Sequence, residues 1–509
     1  MKRIIATSGV LVAFLTLLPG GQATGQDSLH LTLNQALKLT YENSPVIKEA
    51  DYLKKEKELK RKAAWGLHLP QVSLNGNYSF MSDEIHLDLN PVKGAITPLY
   101  ETLGNYGEFS DVPNPDPQTN DEMPVLPDEQ STQAIRQQML NTANQLKGQD
   151  WKKTIQKDEF ATVSARFKWP VFTGGKINAA NKAAKIKQNE AQTTGNRKKN
   201  QLTTQVIDRY YGVRLARDAV RIRQQVLDVM NAHLSEAKSM YEEGMIAESQ
   251  LLHAKVFRAE AQRKLKKARK KLEIAQKALQ NTMAIDRAAF IQPTSKLFYR
   301  KELRGIEEFR EQAVNNSPIL RKIELKKKLA HQDYRSKKSD YFPDAAITGM
   351  YDVYNKDLSP QLPEWIVGVN LKWNLFDGLA RTRKVQAAKF KEKQVEQIHN
   401  KTTNDIHTAI DKLYKELELD VEQLQELETS QQYSEEYLRV SRKSFREGMA
   451  TSTDVTEASV SLSKVKIERL KVMYDYIKKL SRLLELTGES DQFTAYLHDK
   501  QSIFETTNE

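Results

Sequence analysis

The residues able to do chemistry are present but not assembled. Nine histidines are spread over 509 residues without metal-ligand spacing, and neither a phosphate-cradling glycine loop nor a serine or cysteine nucleophile motif occurs. Cysteine is absent altogether, which removes a disulfide framework and a lipid-attachment site. His253 lies in a helical pattern and reads as a packing or surface residue. The Lys and Arg cluster at 255–271 reads as the wet face of a helix, with contact to a partner protein as the lesser reading. No catalytic, cofactor or metal role follows, and the chain reads as a non-enzyme. Two carboxylates stand out by position. Asp454 and Glu457 follow a Gly-Met pair and open a new helical pattern, where acids offset the helix dipole. Whether they do more depends on what the surrounding elements build.

Those elements come in two copies. Residues 445–458 (FREGMATSTDVTEA) repeat 241–254 (YEEGMIAESQLLHA) at a shift of 204. In each copy a helical pattern meets Gly-Met and restarts. This predicts two antiparallel helices joined by a tight turn, with Gly244 and Gly448 taking the left-handed conformation that ends the first helix. Thr451 and Asp454 add a capping signal for the return helix. At the same shift Trp169, Phe172 and Gly174 map onto Trp373, Phe376 and Gly378. Nearer the N-terminus Asn43-Ser44-Pro45 recurs as Asn316-Ser317-Pro318, a shift of 273. The chain therefore reads as an internal duplication. The difference of 69 between the two shifts is an insertion between Pro70 and Trp169.

Residues 1–25 read as a secretory signal peptide: Met1-Lys2-Arg3, an apolar run at 4–18, then small residues. No later run is long and apolar enough for a spanning helix, so any membrane crossing is by strands. The formal charge of +12 reads as solvated helix surface, because an exported chain seldom meets nucleic acid. A first repeat at 26–286 begins with a helical pattern over 32–65. Thr32 and Gln35 form its capping box, and Ser44-Pro45 breaks and restarts it.

After Pro70 the period changes to two. Val72, Leu74, Gly76, Tyr78 and Phe80 alternate with polar residues, as do Val163, Ala165, Phe167, Trp169 and Val171. The second repeat, at 307–488, has the same pair: Ala345, Ile347, Gly349, Tyr351 and Val353, then Val367, Val369, Leu371, Trp373 and Leu375. Each run has about the 9 to 11 residues that a tilted membrane strand needs. Trp169, Phe172, Trp373 and Phe376 suit an interfacial girdle.

The insertion at 83–158 opens with eleven acids, one Lys and seven prolines in residues 83–129. That part reads as an extended, irregular loop, with a short helix at 131–147. The proline-free stretches at 176–292 and 380–509 predict very long helices, roughly 105 Å at ~1.5 Å per residue. Ile406, Ile410, Leu413, Leu417, Val421, Leu424 and Leu427 mark a coiled-coil seam. Residues 287–306 read as an irregular strap between the repeats and 489–509 as a tail.

Four strands cannot close a membrane barrel, and an open edge in lipid costs several kcal/mol per unpaired backbone group. Other copies must complete it. Two copies give a barrel filled by its own side chains, and three give an aqueous lumen.

The order of these features resembles the TolC-like outer membrane efflux protein family. The residues that carry the resemblance are 31–45 (LTLNQALKLTYENSP), the Trp-x-x-Phe-x-Gly pairs at Trp169 and Trp373, and the turns at Gly244 and Gly448. It covers nearly the whole mature chain except the insertion. The resemblance implies a mainly α fold with a small membrane β part. Three chains would share a 12-stranded transmembrane β-barrel, continued into the periplasm by a trimeric α-barrel of long helical hairpins. It implies a Gram-negative outer membrane exit duct of a tripartite efflux pump or type I secretion system, exporting small molecules or proteins passively. The turns, with Gly244, Met245, Gly448 and Met449, would dock a periplasmic adaptor and through it an inner-membrane RND or ABC transporter. In such channels acids ring the periplasmic constriction. The positions here are Asp454 and Glu457, six and nine after the turn glycine, with Gln250 and His253 in the first copy. Ala450 stands where a basic residue is common. Two other readings, an exported periplasmic coiled-coil adaptor and an exported structural protein, share the hairpins but do not need four strands of bilayer length.

Overall fold

The computed structural model describes residues 28–285, 290–360 and 362–505; the signal-peptide reading at 1–25 lies outside them. The described chain opens with β1 (Ser28–Leu31), α1 (Leu33–Asn43) and α2 (Pro45–Trp65). Thr32 caps α1 as its sequence predicts: Gln35 N donates to Thr32 Oγ1, and Thr32 N donates to Gln35 Oε1 at 2.8 Å. Ser44 and Pro45 separate the two helices, and Val46 N donates to Ser44 Oγ.

Next come β2 (Gln71–Phe80), β3 (Ile85–Asp88), α3 (Asn90–Tyr106), α4 (Asp128–Gly148), β4 (Lys152–Gln156) and β5 (Glu159–Thr173). A helical hairpin follows, α5 (Lys176–Glu242) and α6 (Glu248–Met283). The strap and second half contain β6 (Phe290–Pro293), β7 (Phe298–Arg300), α7 (Ile306–Asn316), α8 (Pro318–Ser339), β8 (Asp344–Lys356) and β9 (Trp365–Lys372). A second hairpin, α9 (Ala380–Arg446) and α10 (Ser452–Thr487), leads to α11 (Phe493–His498) and β10 (Ser502–Phe504). Both hairpins pair a 67-residue helix with a 36-residue one. At ~1.5 Å per residue the longer arm extends about 100 Å.

Contacts divide the chain into two compact units. Of the described residues, one holds those up to Lys62, those in Ala179–Tyr334 and those from Arg383; the other holds those in Ala63–Asn178 and Arg335–Thr382. The core of the first is a cluster that includes Leu33, Ile207, Tyr210, Tyr211, Phe298 and Leu484. The Tyr210 hydroxyl donates to Leu31 O at 2.7 Å and accepts from Ser295 N at 2.9 Å, which ties the N-terminal strand to the strap. The strap and tail are not irregular. β6 pairs in parallel with β1, and β7 pairs antiparallel with β10. Phe298 and Tyr299 are buried, so this backbone runs inside the protein and must find partners. The expected seam on α9 buries Ile406, Ile410, Leu417 and Leu424.

The second unit contains an antiparallel sheet in the order β2-β5-β8-β9. Three of the four strands appear where the period-two pattern placed them. The fourth stops at Lys372, short of Trp373 and Leu375, because its neighbour β8 begins only at Asp344, opposite Lys372. Beyond that point the Arg381 guanidinium donates to Asp340 O, Asn374 O and Leu375 O. The insertion also departs from expectation. Residues 90–106 form a helix within the segment read as an irregular loop, and α4 includes the expected 131–147. Pro91 sits in the first turn of α3, where its missing N–H has no intrahelical partner to lose. Lys93 Nζ and Asn90 then tie the helix to Gln149 O and Asp150.

Candidate membrane face and helix-turn end

The sheet has two chemically different faces, set by register. Directly paired residues point to one side of a sheet. Val72 pairs with Phe167, Leu74 with Ala165 and Tyr78 with Ala161. Phe167 in turn pairs with Gly349 and Gly349 with Val367; Trp169 pairs with Ile347 and Ile347 with Val369. All these lie on one face, and several are strongly exposed, with Val72 at 76%, Leu74 at 69% and Val369 at 77%. The other face carries Ser73, Asn75, Asn77, Arg166, Lys168, Thr348 and Asn370. A continuous apolar face this open on a soluble protein is a liability, but in hydrocarbon it is the preferred surface. Among the described residues β2 and β9 each leave one edge unpaired.

The four aromatics expected of an interfacial girdle lie at or just beyond the ends of the strands that lead into the long helices. Trp169 Nε1 donates to His68 O at 3.0 Å, and Trp373 Nε1 donates to Tyr341 O at 3.2 Å. His68 and Tyr341 are related by the shift of 273, and the two indoles by that of 204, so the same bond is made in both copies. Phe172 and Phe376 are exposed beside them. An indole that buries its ring in the apolar layer and keeps its N–H bonded fits a bilayer boundary.

The turns at the other end of the long helices are nearly identical. Gly244 and Gly448 both have φ of +72°, a region that costs other residues and not glycine. Met245 N bonds Met240 O and Gly244 N bonds Tyr241 O; Met449 N bonds Ser444 O and Gly448 N bonds Phe445 O. This double closure satisfies the last carbonyls of α5 and α9 and leaves Met245 and Met449 exposed, at 58% and 71%. The return helices differ. Thr451 caps α10, with Asp454 Oδ2 accepting from Thr451 N and Thr451 Oγ1, both at 2.7 Å. These bonds hold the Asp454 carboxyl below the usual aspartate range. Ala247 at the same place on α6 provides no side-chain cap.

Of the expected constriction residues, Asp454 and Glu457 lie about one turn apart on α10, and Gln250 lies on α6 with its Oε1 buried and without a hydrogen-bond partner. Glu457 is exposed. His253 packs on Phe257, with ring centroids 4.5 Å apart. Beneath the turns the hairpins share a small core of Ala237, Met240, Leu251, Ala254, Phe445 and Val455, with Ala450 against it. Two polar ties join the hairpins there. His233 Nε2 bonds Ser452 Oγ at 2.7 Å, with the imidazole against Phe445 at 4.7 Å. Arg446 donates to Glu236 at 2.6 and 3.0 Å. Burial lowers the His233 pKa, favouring the neutral ring. Neither tie was legible in sequence, because the partners are 219 and 210 residues apart.

No helix among the described residues is long and apolar enough to cross a membrane. Comparison with solved structures places the fold among outer membrane channels. The chain matches the VceC outer membrane protein of Vibrio cholerae at TM-score 0.66 and 14% identity, over 90% of this chain and 96% of that one. It matches the CmeC outer membrane channel of Campylobacter jejuni at 0.64 and 12%, over 90% and 86%. The open-state MtrE outer membrane channel of Neisseria gonorrhoeae matches at 0.64 and 13%, over 90% and 89%. At such identities these likenesses establish the fold alone. The family model for outer membrane efflux proteins matches residues 131–284 and 309–489, and the chain belongs to that family. It is accordingly a channel-family protein and not an enzyme. Comparison with curated proteins by sequence gives no match.

Proposed function

We propose that three copies of this chain assemble in the outer membrane of a Gram-negative bacterium into one conduit. Residues 26–286 and 307–488 act as the two repeats of each copy, 287–306 as their link and 489–509 as a tail, after removal of 1–25 as a signal peptide. Each copy contributes the four strands of its sheet, so three copies give twelve, enough for a water-filled lumen. The paired helical hairpins of each copy line an α-barrel below it. The observation that carries this reading is the sheet: two unpaired edges, one face apolar and exposed, one face polar. Strand N–H and C=O groups cannot be left open in lipid. Closure by other copies supplies the partners and turns Arg166, Lys168 and the Ser and Asn rows toward the lumen.

Export through such a duct is passive, and its energy comes from an inner-membrane RND or ABC transporter reached through a periplasmic adaptor. The adaptor docks on the turns, where Gly244 and Gly448 give tight ends and Met245 and Met449 offer exposed, adaptable apolar contacts. Asp454 and Glu457 of the three copies ring the periplasmic constriction, with Gln250 beside them. A ring of carboxylates favours cations in a narrow pore. The test is current through the purified protein in planar lipid bilayers. The wild type should conduct with cation preference, and replacing Asp454 and Glu457 together by Ala should raise conductance and reduce that preference. Unchanged currents would place the constriction elsewhere.

A further inference from the structure

The insertion holds a helix whose apolar seam is left largely open among the described residues, with Val92, Leu99 and Tyr106 exposed and Ile96 and Leu103 half-buried. On α3, Val92, Ile96, Leu99, Leu103 and Tyr106 follow one another at steps of four, three, four and three, the spacing of a coiled-coil stripe. Val92, Leu99 and Tyr106 are 49%, 57% and 79% exposed. The helix already has a packing face, and it is a different one. Thr97 and Gly104 are buried, and Gly104 lies so close to Leu140 and Arg136 of α4 that a Cβ there would come within 2.7 Å of Leu140 Cγ. The seam is also free of charge in an acidic segment: only Glu101 of the eleven acids lies on α3, and Lys147 pairs with it.

We infer that α3 packs seam to seam with α3 of the other copies, forming a parallel helical bundle over the mouth of the barrel. This rests on the trimeric reading above. The occupant follows from chain continuity. β2 is an edge strand of the sheet, so in the closed barrel it lies against a neighbouring copy. The β3–β4 hairpin continues directly from β2 and β5, with Met81 N bonded to Asp158 O, and α3 starts one residue after β3. The helix therefore rises beside the copy-to-copy boundary, and symmetry presents identical seams to one another. Residues 83–130, which include α3, lie outside the stretch matched by the family model. The bundle narrows the exit of the barrel.

Because the chain has no cysteine, single-cysteine variants report contacts cleanly. With Leu99→Cys, oxidation in intact outer membranes should give a disulfide-linked dimer on a non-reducing gel, limited to about two thirds of the chains because only two of three can pair. Asn105→Cys, exposed on α3 but off the seam, should give little. Both variants should run as trimers when unheated. A trimer with no Leu99→Cys disulfide, or with equal linkage at Asn105→Cys, overturns the bundle while leaving the trimer standing. A monomer for wild type and variants alike overturns the trimer itself. In planar bilayers Leu99→Glu, which puts three carboxylates into an apolar seam, should increase conductance severalfold while the trimer persists; an unchanged conductance counts against a narrowed exit.

Discussion

Removing the Ser452 hydroxyl should loosen the helix turns more than removing the far more conspicuous ion pair beside it. Ser452 is buried, and its Oγ is the partner of His233 Nε2 at 2.7 Å. The other ring nitrogen, Nδ1, is buried and already without a partner. Ser452→Ala therefore leaves a buried imidazole with no hydrogen bond to the protein, at a cost of about 1–3 kcal/mol. Thr451 still caps α10, so the helix start itself is spared. Arg446 and Glu236 make two short bonds, but their side chains are 60% and 26% exposed. After solvent screening such a pair contributes about 0–1 kcal/mol. The assay is amide hydrogen exchange across the last turns of α5 and α9 and the first turns of α6 and α10, which reports local opening. At about 1.4 kcal/mol per tenfold, Ser452→Ala should speed exchange about 5- to 150-fold and Arg446→Ala by no more than about fivefold. A reversed order, or exchange at the wild-type rate in Ser452→Ala, would refute a structural role for the His233–Ser452 bond.

Other consequences follow from the same structure. His233 is packed with its folded pKa below the ordinary 6.5, so its contribution to turn packing is fully present above about pH 6.5 and is lost as pH falls through the lowered value. Glu236 opposes that shift and His253 and Arg442 reinforce it; exchange at the turns should therefore rise on acidification in wild type and respond less in His233→Gln. Asp454 and Glu457 should separate in single variants. Asp454→Ala removes the two bonds its carboxylate accepts from Thr451 while the Thr451 cap stays, and should speed exchange at α10 modestly, whereas Glu457→Ala, which removes a solvent-facing carboxylate, should shift ion preference and leave exchange alone. Tyr210→Phe deletes the hydroxyl that bridges Leu31 and Ser295 and should lower stability by about 1–3 kcal/mol, read as an earlier midpoint in denaturant with channel selectivity unchanged.

The long-period features were legible because they are written locally. Gly-Met at 244–245 and 448–449 gave both turns, Thr451 and Asp454 gave the cap, and period-two alternation gave the strands. Features that depend on distant partners were not. Strand β9 ends at Lys372 because of where β8 begins, which the alternation through Leu375 does not reveal. β6 and β7 are too short to show a period and exist through pairing with β1 and β10 at the far ends of the chain. The insertion misled by composition: its prolines and acids suggest an extended chain, yet Pro91 occupies the one helical turn that tolerates it and most of the acids lie outside α3. A 4-3 stripe was present at 92–106 and was masked by Pro98 within it. At the turns, Arg446 and Glu236 supply a tie that Ala450 cannot.

Several copies of the chain must close one sheet. The mass of the detergent-solubilised particle, with bound detergent subtracted, tests it most directly. Three chains per particle, with strands protected from exchange along both β2 and β9, is the predicted result. A single chain per particle, with the β2 and β9 edges exchanging freely, would contradict it.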